Sequence, residues 1–153
     1  MQFGDFNWYA SAPGESYDNL SGRGWVLAGG AKLVPTTLYD GKKGYVLDMP
    51  AGSTAVSPAM CVTNAYPTAR SMVRDVAGSA GVSTFVSYIG ARVSPFQGTG
   101  TLRGSSTGFG LSSTVNIHPN WLVGWQLARF ELVAAGTGSE YQIYNFFVDP
   151  RMF

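Results

Sequence analysis

Two apolar runs near the C-terminus constrain the fold more than anything else in this chain. In residues 127–133, Ala128, Phe130 and Leu132 alternate with Leu127, Arg129, Glu131 and Val133. Successive side chains of a strand point to opposite faces, so charges at alternate central positions mark a strand with one buried face. Residues 141–148 are dense in aromatic and β-branched side chains, which suit a pleated surface. The connector 134–140 is Ala-Ala-Gly-Thr-Gly-Ser-Glu. Its two glycines predict a β-hairpin with a loop longer than the two-residue minimum. The rest of the chain is expected to pack on this pair.

Upstream, turn signals recur every 8–12 residues, among them Pro13-Gly14, Asp18-Asn19, Gly29-Gly30, Asp40-Gly41 and Gly78–Gly81. Between them lie short β-branched or aromatic runs: 25–27, 31–34, 45–49, 60–64, 69–76, 82–89 and 111–117. Residues 50–58 read as a small-residue loop. Residues 97–110, with five glycines, read as a loop around one short strand near 101–103. His118-Pro119-Asn120 leads into 121–125, where a short helical turn is expected. No helix of ten or more residues is predicted. Eight to ten short strands in one domain-sized chain of 153 residues predict an all-β fold, a jelly-roll-like antiparallel β-sandwich. We expect a single domain, residues 11–153, preceded by an arm, residues 1–10. Phe3, Phe6, Trp8 and Tyr9 put four rings into seven positions, as expected of an interface arm packed on the domain or on a neighbour.

Composition excludes several function classes. Net charge is +1, which gives no electrostatic reason to expect nucleic-acid binding, normally marked by a basic stripe. Charged residues make up 12%, against a usual share of about a quarter. Such a surface must be covered by small polar side chains and backbone, or by another molecule. Cys61 is the only cysteine, which rules out an intrachain disulfide and a cysteine-rich metal site; it is expected to be a small buried residue. No run reaches the roughly 18 apolar residues of a membrane-spanning helix. Residues 1–10 lack the basic start and apolar core of a signal peptide. No membrane partner and no cofactor is expected, and the place of action is expected to be a virion or an extracellular surface.

Several phrases carry a resemblance. The chain contains Pro13-Gly14-Glu15-Ser16-Tyr17, Gly24-Trp25 and Gly29-Gly30-Ala31. Residues 49–62 read Met-Pro-Ala-Gly-Ser-Thr-Ala-Val-Ser-Pro-Ala-Met-Cys-Val, and Pro67-Thr68-Ala69-Arg70 is followed by Arg74. The chain closes on Ile143-Tyr144-Asn145-Phe146-Phe147-Val148-Asp149-Pro150. In this it resembles a family of mostly uncharacterised secreted actinobacterial proteins with a carbohydrate-binding-module-like sandwich. The resemblance implies the fold and carries no established activity. Related modules often place acidic ligands for a structural calcium near the last strand. Here Tyr144 and Asn145 stand where the family has paired acids, so no metal site is expected.

Candidate chemistry is sparse. His118 is the only histidine. Ser112 and Ser113 are near it in sequence, but no orienting acid or nucleophile elbow accompanies them. Nine carboxylates are spread along the chain, most of them in expected turns, so no catalytic residues are assigned. Arg70 and Arg74 share one face of an expected strand and suit loop carbonyls, an anionic ligand or an interface. Trp121 and Trp125, with Trp25, Trp8 and Tyr9, are candidate sugar-stacking rings; core packing is the plainer role for Trp25. Two non-enzymatic readings follow. One is a structural subunit of an extracellular or virion-type assembly, a decoration or minor capsid-like protein. It would contact other protein subunits through its arm as a homo-oligomer or lattice neighbour. The other is a glycan-binding module using exposed aromatics.

Overall fold

The computed structural model describes residues 10–11, 15–16, 19–20, 23–63, 68–90, 92–117 and 125–148. There is no helix among them. The strands in chain order are β1 (Ala10–Ser11), β2 (Glu15–Ser16), β3 (Asn19–Leu20), β4 (Val26–Ala28), β5 (Lys32–Thr37), β6 (Lys43–Pro50), β7 (Thr54–Val56) and β8 (Met60–Thr63). They continue as β9 (Thr68–Ala77), β10 (Val82–Ile89), β11 (Gln97–Leu102), β12 (Gly110–Leu111), β13 (Val115–Asn116), β14 (Trp125–Ala134) and β15 (Glu140–Val148).

Two antiparallel sheets face each other, as the alternating pattern predicted. One runs β12-β9-β15-β6-β5, with β1 also on β15 and β13 also on β9. The other runs β11-β10-β14-β7-β4, with β8 also on β14. The ribbon β2–β3 lies near β6 and β15. Ala128, Phe130 and Leu132 from β14 and Tyr141, Ile143 and Phe146 from β15 fill the space between the sheets. The Phe130 and Phe146 rings meet across it with centroids 5.1 Å apart.

That contact corrects the expected hairpin. β14 pairs with β10, β7 and β8, whereas β15 pairs with β9 and β6. The two strands belong to different sheets, and residues 135–139 form an arch between them. Each strand has one apolar row; an arch sets those rows face to face, while a hairpin would set them side by side. Gly136 and Gly138, at φ 94° and 67°, make the reversal. Ser139 Oγ donates to Ala135 O at 2.6 Å, and Ala51 N donates to Ser139 O at 2.8 Å. Tyr141, fully buried, accepts from Gly81 N at 2.9 Å and donates to Ala135 O at 3.2 Å. The arch and the 78–81 turn are thereby fastened together at one end of the sandwich.

Other local expectations shift. The expected loop 50–58 contains β7, which pairs with both β14 and β4. The strand expected within 97–110 is longer, spanning all of β11. The run 111–117 is broken into β12 and β13 at Ser112, whose hydroxyl accepts from Ser71 N at 3.1 Å. Trp125 opens β14 rather than joining a helical turn. Cys61 is exposed, because Met60 and Val62 take the core face of β8.

Candidate functional site

The seven-stranded sheet has an unusual outer face. Leu47 and Met49 of β6 point into the core, so Val46, Asp48 and Pro50 point outward. On β15 the outward positions are Glu140, Gln142 and Tyr144; on β9 they are Arg70, Met72 and Arg74; on β5, Lys32, Val34 and Thr36. Register aligns these positions across strands. Lys32 pairs with Asp48, Asp48 with Gln142, and Gln142 with Arg74. One polar row therefore crosses four strands, with Glu140 beside it.

Gln142 Nε2 donates to Asp48 Oδ1 at 3.2 Å. Asp48 is buried, Gln142, Arg74 and Glu140 are half-buried, and Lys32 is exposed. A hydrogen bond with Asp48 holds the Glu140 carboxyl above its ordinary pKa; burial and the Asp48 charge add to this, and Lys32 opposes it. Glu140 thus holds its proton more tightly when folded than when unfolded. Its contribution to stability is complete below the unfolded value and is lost as pH rises through the folded one. The melting temperature of Glu140→Gln is expected to lack the decline that the wild-type chain shows across that acidic window.

Beside the polar row, the same face is apolar. Leu38, Val46, Met72, Phe109 and Tyr144 form a second buried cluster, with Val34 packed against it. Phe109 meets the Tyr144 ring edge-on, centroids 4.9 Å apart at 84°. The Tyr144 hydroxyl accepts from Tyr39 N at 2.9 Å, while the Tyr39 ring itself is 73% exposed. Lys32 and Tyr39 stand at opposite ends of the face, roughly 20 Å apart along an extended chain.

Among the sequence-derived candidates, Arg70 and Arg74 do share this outer face, one on either side of Met72. Arg74 ends the polar row; Arg70 pairs with Phe147 farther along. Trp25 is half-buried and packs on the main core. Phe3, Phe6, Trp8, Tyr9, His118 and Trp121 lie outside the described residues. Trp125 is described only as the first residue of β14. The Tyr144 ring packs on Phe109, and Asn145 sits buried at φ 54° in the β15 irregularity. Ser112 Oγ donates to Ser113 O at 2.9 Å, a local structural bond. Lys32, Asp48, Glu140 and Gln142 belong to no motif in the sequence. The available signal was a lone acid in the apolar stretch of β6, and polar residues alternating with Tyr141 and Ile143.

No protein-family model and no curated protein sequence matches the chain. Solved structures do match it. The CBM22-1 xylan-binding domain from Paenibacillus barcinonensis Xyn10C is similar at TM-score 0.56 and 16% identity, over 96% of this chain and 97% of that one. The CBM22-1–GH10 modules of Clostridium thermocellum endo-1,4-β-D-xylanase 10B, complexed with xylohexaose, are similar at TM-score 0.55 and 11% identity. That match spans 96% of this chain and 29% of that one. The fold is therefore a β-sandwich of the kind found in carbohydrate-binding modules.

Proposed function

We propose that this chain is a non-catalytic glycan-binding module whose ligand lies on the outer face of the seven-stranded sheet. The observation that carries the reading is the cross-strand row Lys32–Asp48–Gln142–Arg74. It sets carboxylate, amide, ammonium and guanidinium groups in one line, donors and acceptors of the kind sugar hydroxyls require. Tyr39 supplies an exposed ring at the far end. Structural neighbours whose names state xylan or xylohexaose binding support a β-1,4-linked glycan as the first ligand to try. They favour this reading over the decoration-subunit one, which rests on the aromatic arm.

Binding without cleavage fits the carboxylates. A glycosidase holds two carboxyls about 5–9.5 Å apart across the scissile bond. Asp48 and Glu140 instead stand close enough for Asp48 to hold the Glu140 carboxyl above its ordinary pKa. Titration calorimetry with xylohexaose and a panel of other β-glycan oligosaccharides tests the reading. Arg74→Ala and Gln142→Ala are each expected to weaken binding by about 3- to 10-fold, the worth of one or two hydrogen bonds. Reducing ends should not accumulate. Absence of binding to every oligosaccharide, or release of reducing sugar, would count against it.

A further inference from the structure

The outer face of the six-stranded sheet is apolar and open. Val26, Val93 and Leu127 are 64%, 58% and 38% exposed. Half-buried Phe85, Ile89 and Val133 stand on the same face. Register sets Phe85, Glu131, Val56 and Val26 in one row and Ile89 and Leu127 in another, with Ser87 and Arg129 between them and Ser83, Val133 and Thr54 in the row beyond. In its middle are two charges on β14, Arg129 and Glu131. Arg129 Nε is closed off from water and has no hydrogen-bond partner.

The outward residues of β14 read Leu127, Arg129, Glu131, Val133: apolar, positive, negative, apolar. The pattern is its own complement when reversed. We infer that this face pairs with the same face of a second copy. The two-fold axis would lie in the interface plane, across the strands at the level of Phe130. Such an axis turns β14 end for end. Arg129 then meets Glu131 of the second copy, Glu131 meets its Arg129, and the apolar ends Leu127 and Val133 meet each other. Packed sheets keep their strands within about 30° of alignment, which this arrangement satisfies. Surrounding apolar side chains exclude water from the two ion pairs and strengthen them. A second copy carries the complementary charge order at the same spacing by symmetry.

The face measures roughly 20 Å by 20 Å from strand spacing and rise. That is about half of the roughly 800 Å² per partner typical of stable complexes. The expected assembly is a reversible dimer that dissociates on dilution. Sedimentation velocity over a concentration series on the full chain tests it. Arg129→Glu and Glu131→Arg, taken singly, each set like charges opposite one another and should weaken self-association at least about tenfold. The double exchange R129E/E131R restores the pattern and should restore the dimer. Mixing the two single variants should give a mixed dimer, since each supplies what the other lacks. Melting curves confirm that each variant is folded; if a single variant fails to fold, mixing R129E/E131R with wild type decides, since a mixed dimer would set like charges opposite one another and should not form. A wild-type chain monomeric throughout, singles that associate as wild type does, or an exchange that restores nothing would overturn the inference.

Discussion

Phe130→Ala is expected to cost about 3–5 kcal/mol, the usual range for removing a buried aromatic ring. Phe130 is fully buried on the central strand of one sheet, and its ring meets Phe146 from the other at 5.1 Å. Leu132 and Ala128 flank it on β14 with no exposed surface. The backbone cannot collapse into the space, because β14 is paired on both sides, by β10 and by β7 and β8. A native stability of about 5–15 kcal/mol would lose a large share. Chemical denaturation followed by tryptophan fluorescence measures it. A loss below about 1 kcal/mol would mean that the two sheets do not meet at this ring.

Gly104→Ala is the second large effect, and it links the framework to the proposed site. A Cβ at position 104 would lie 2.3 Å from the Val73 carbonyl oxygen and 2.5 Å from its carbon. Those atoms belong to β9, which is anchored by β15 along much of its length. The 103–105 segment must therefore move away. It would give up the Gly104 N bond to Asp75 Oδ1 at 3.3 Å and the Asp75 N bond to Ser105 O at 3.0 Å. Overpacking of this kind costs about 1–3 kcal/mol, and two strained hydrogen bonds place this site at the upper end. Arg74 bridges to Ser105 and follows Val73 directly. The same substitution should thus weaken glycan binding more than Arg74→Ala does alone. Unchanged melting and unchanged affinity would show that the segment packs elsewhere.

Much of the fold was legible in the sequence because β-strand alternation reports burial directly. Ala128, Phe130 and Leu132 have no exposure, and Arg129 and Glu131 lie on the opposite face, as their spacing required. Alternation does not report which strand is the partner. A five-residue, two-glycine connector serves a hairpin or an arch equally well, and only the facing apolar rows of β14 and β15 decide. Short strands such as β7 and β12 were hidden for a related reason. Two or three residues of Thr, Ala or Gly carry little propensity, and neighbouring strands impose their extended form. The candidate site was less legible still. Arg70 and Arg74 could be placed on one face by counting along a single strand. Lys32, Asp48, Gln142 and Arg74 come from four strands, with Lys32 and Gln142 110 residues apart, and register alone brings them into line. Residue type alone predicts a buried Cys61, but its neighbours Met60 and Val62 take the core face of β8.

The most direct test of the account is amide chemical-shift mapping by NMR while xylohexaose or another β-glycan oligosaccharide is titrated into the full chain. The account predicts perturbations concentrated at Lys32, Asp48, Gln142 and Arg74, with the amides of Phe85, Leu127 and Val133 on the opposite sheet unmoved by the sugar. Perturbations confined to that opposite sheet, or none with any oligosaccharide at millimolar concentration, would contradict it.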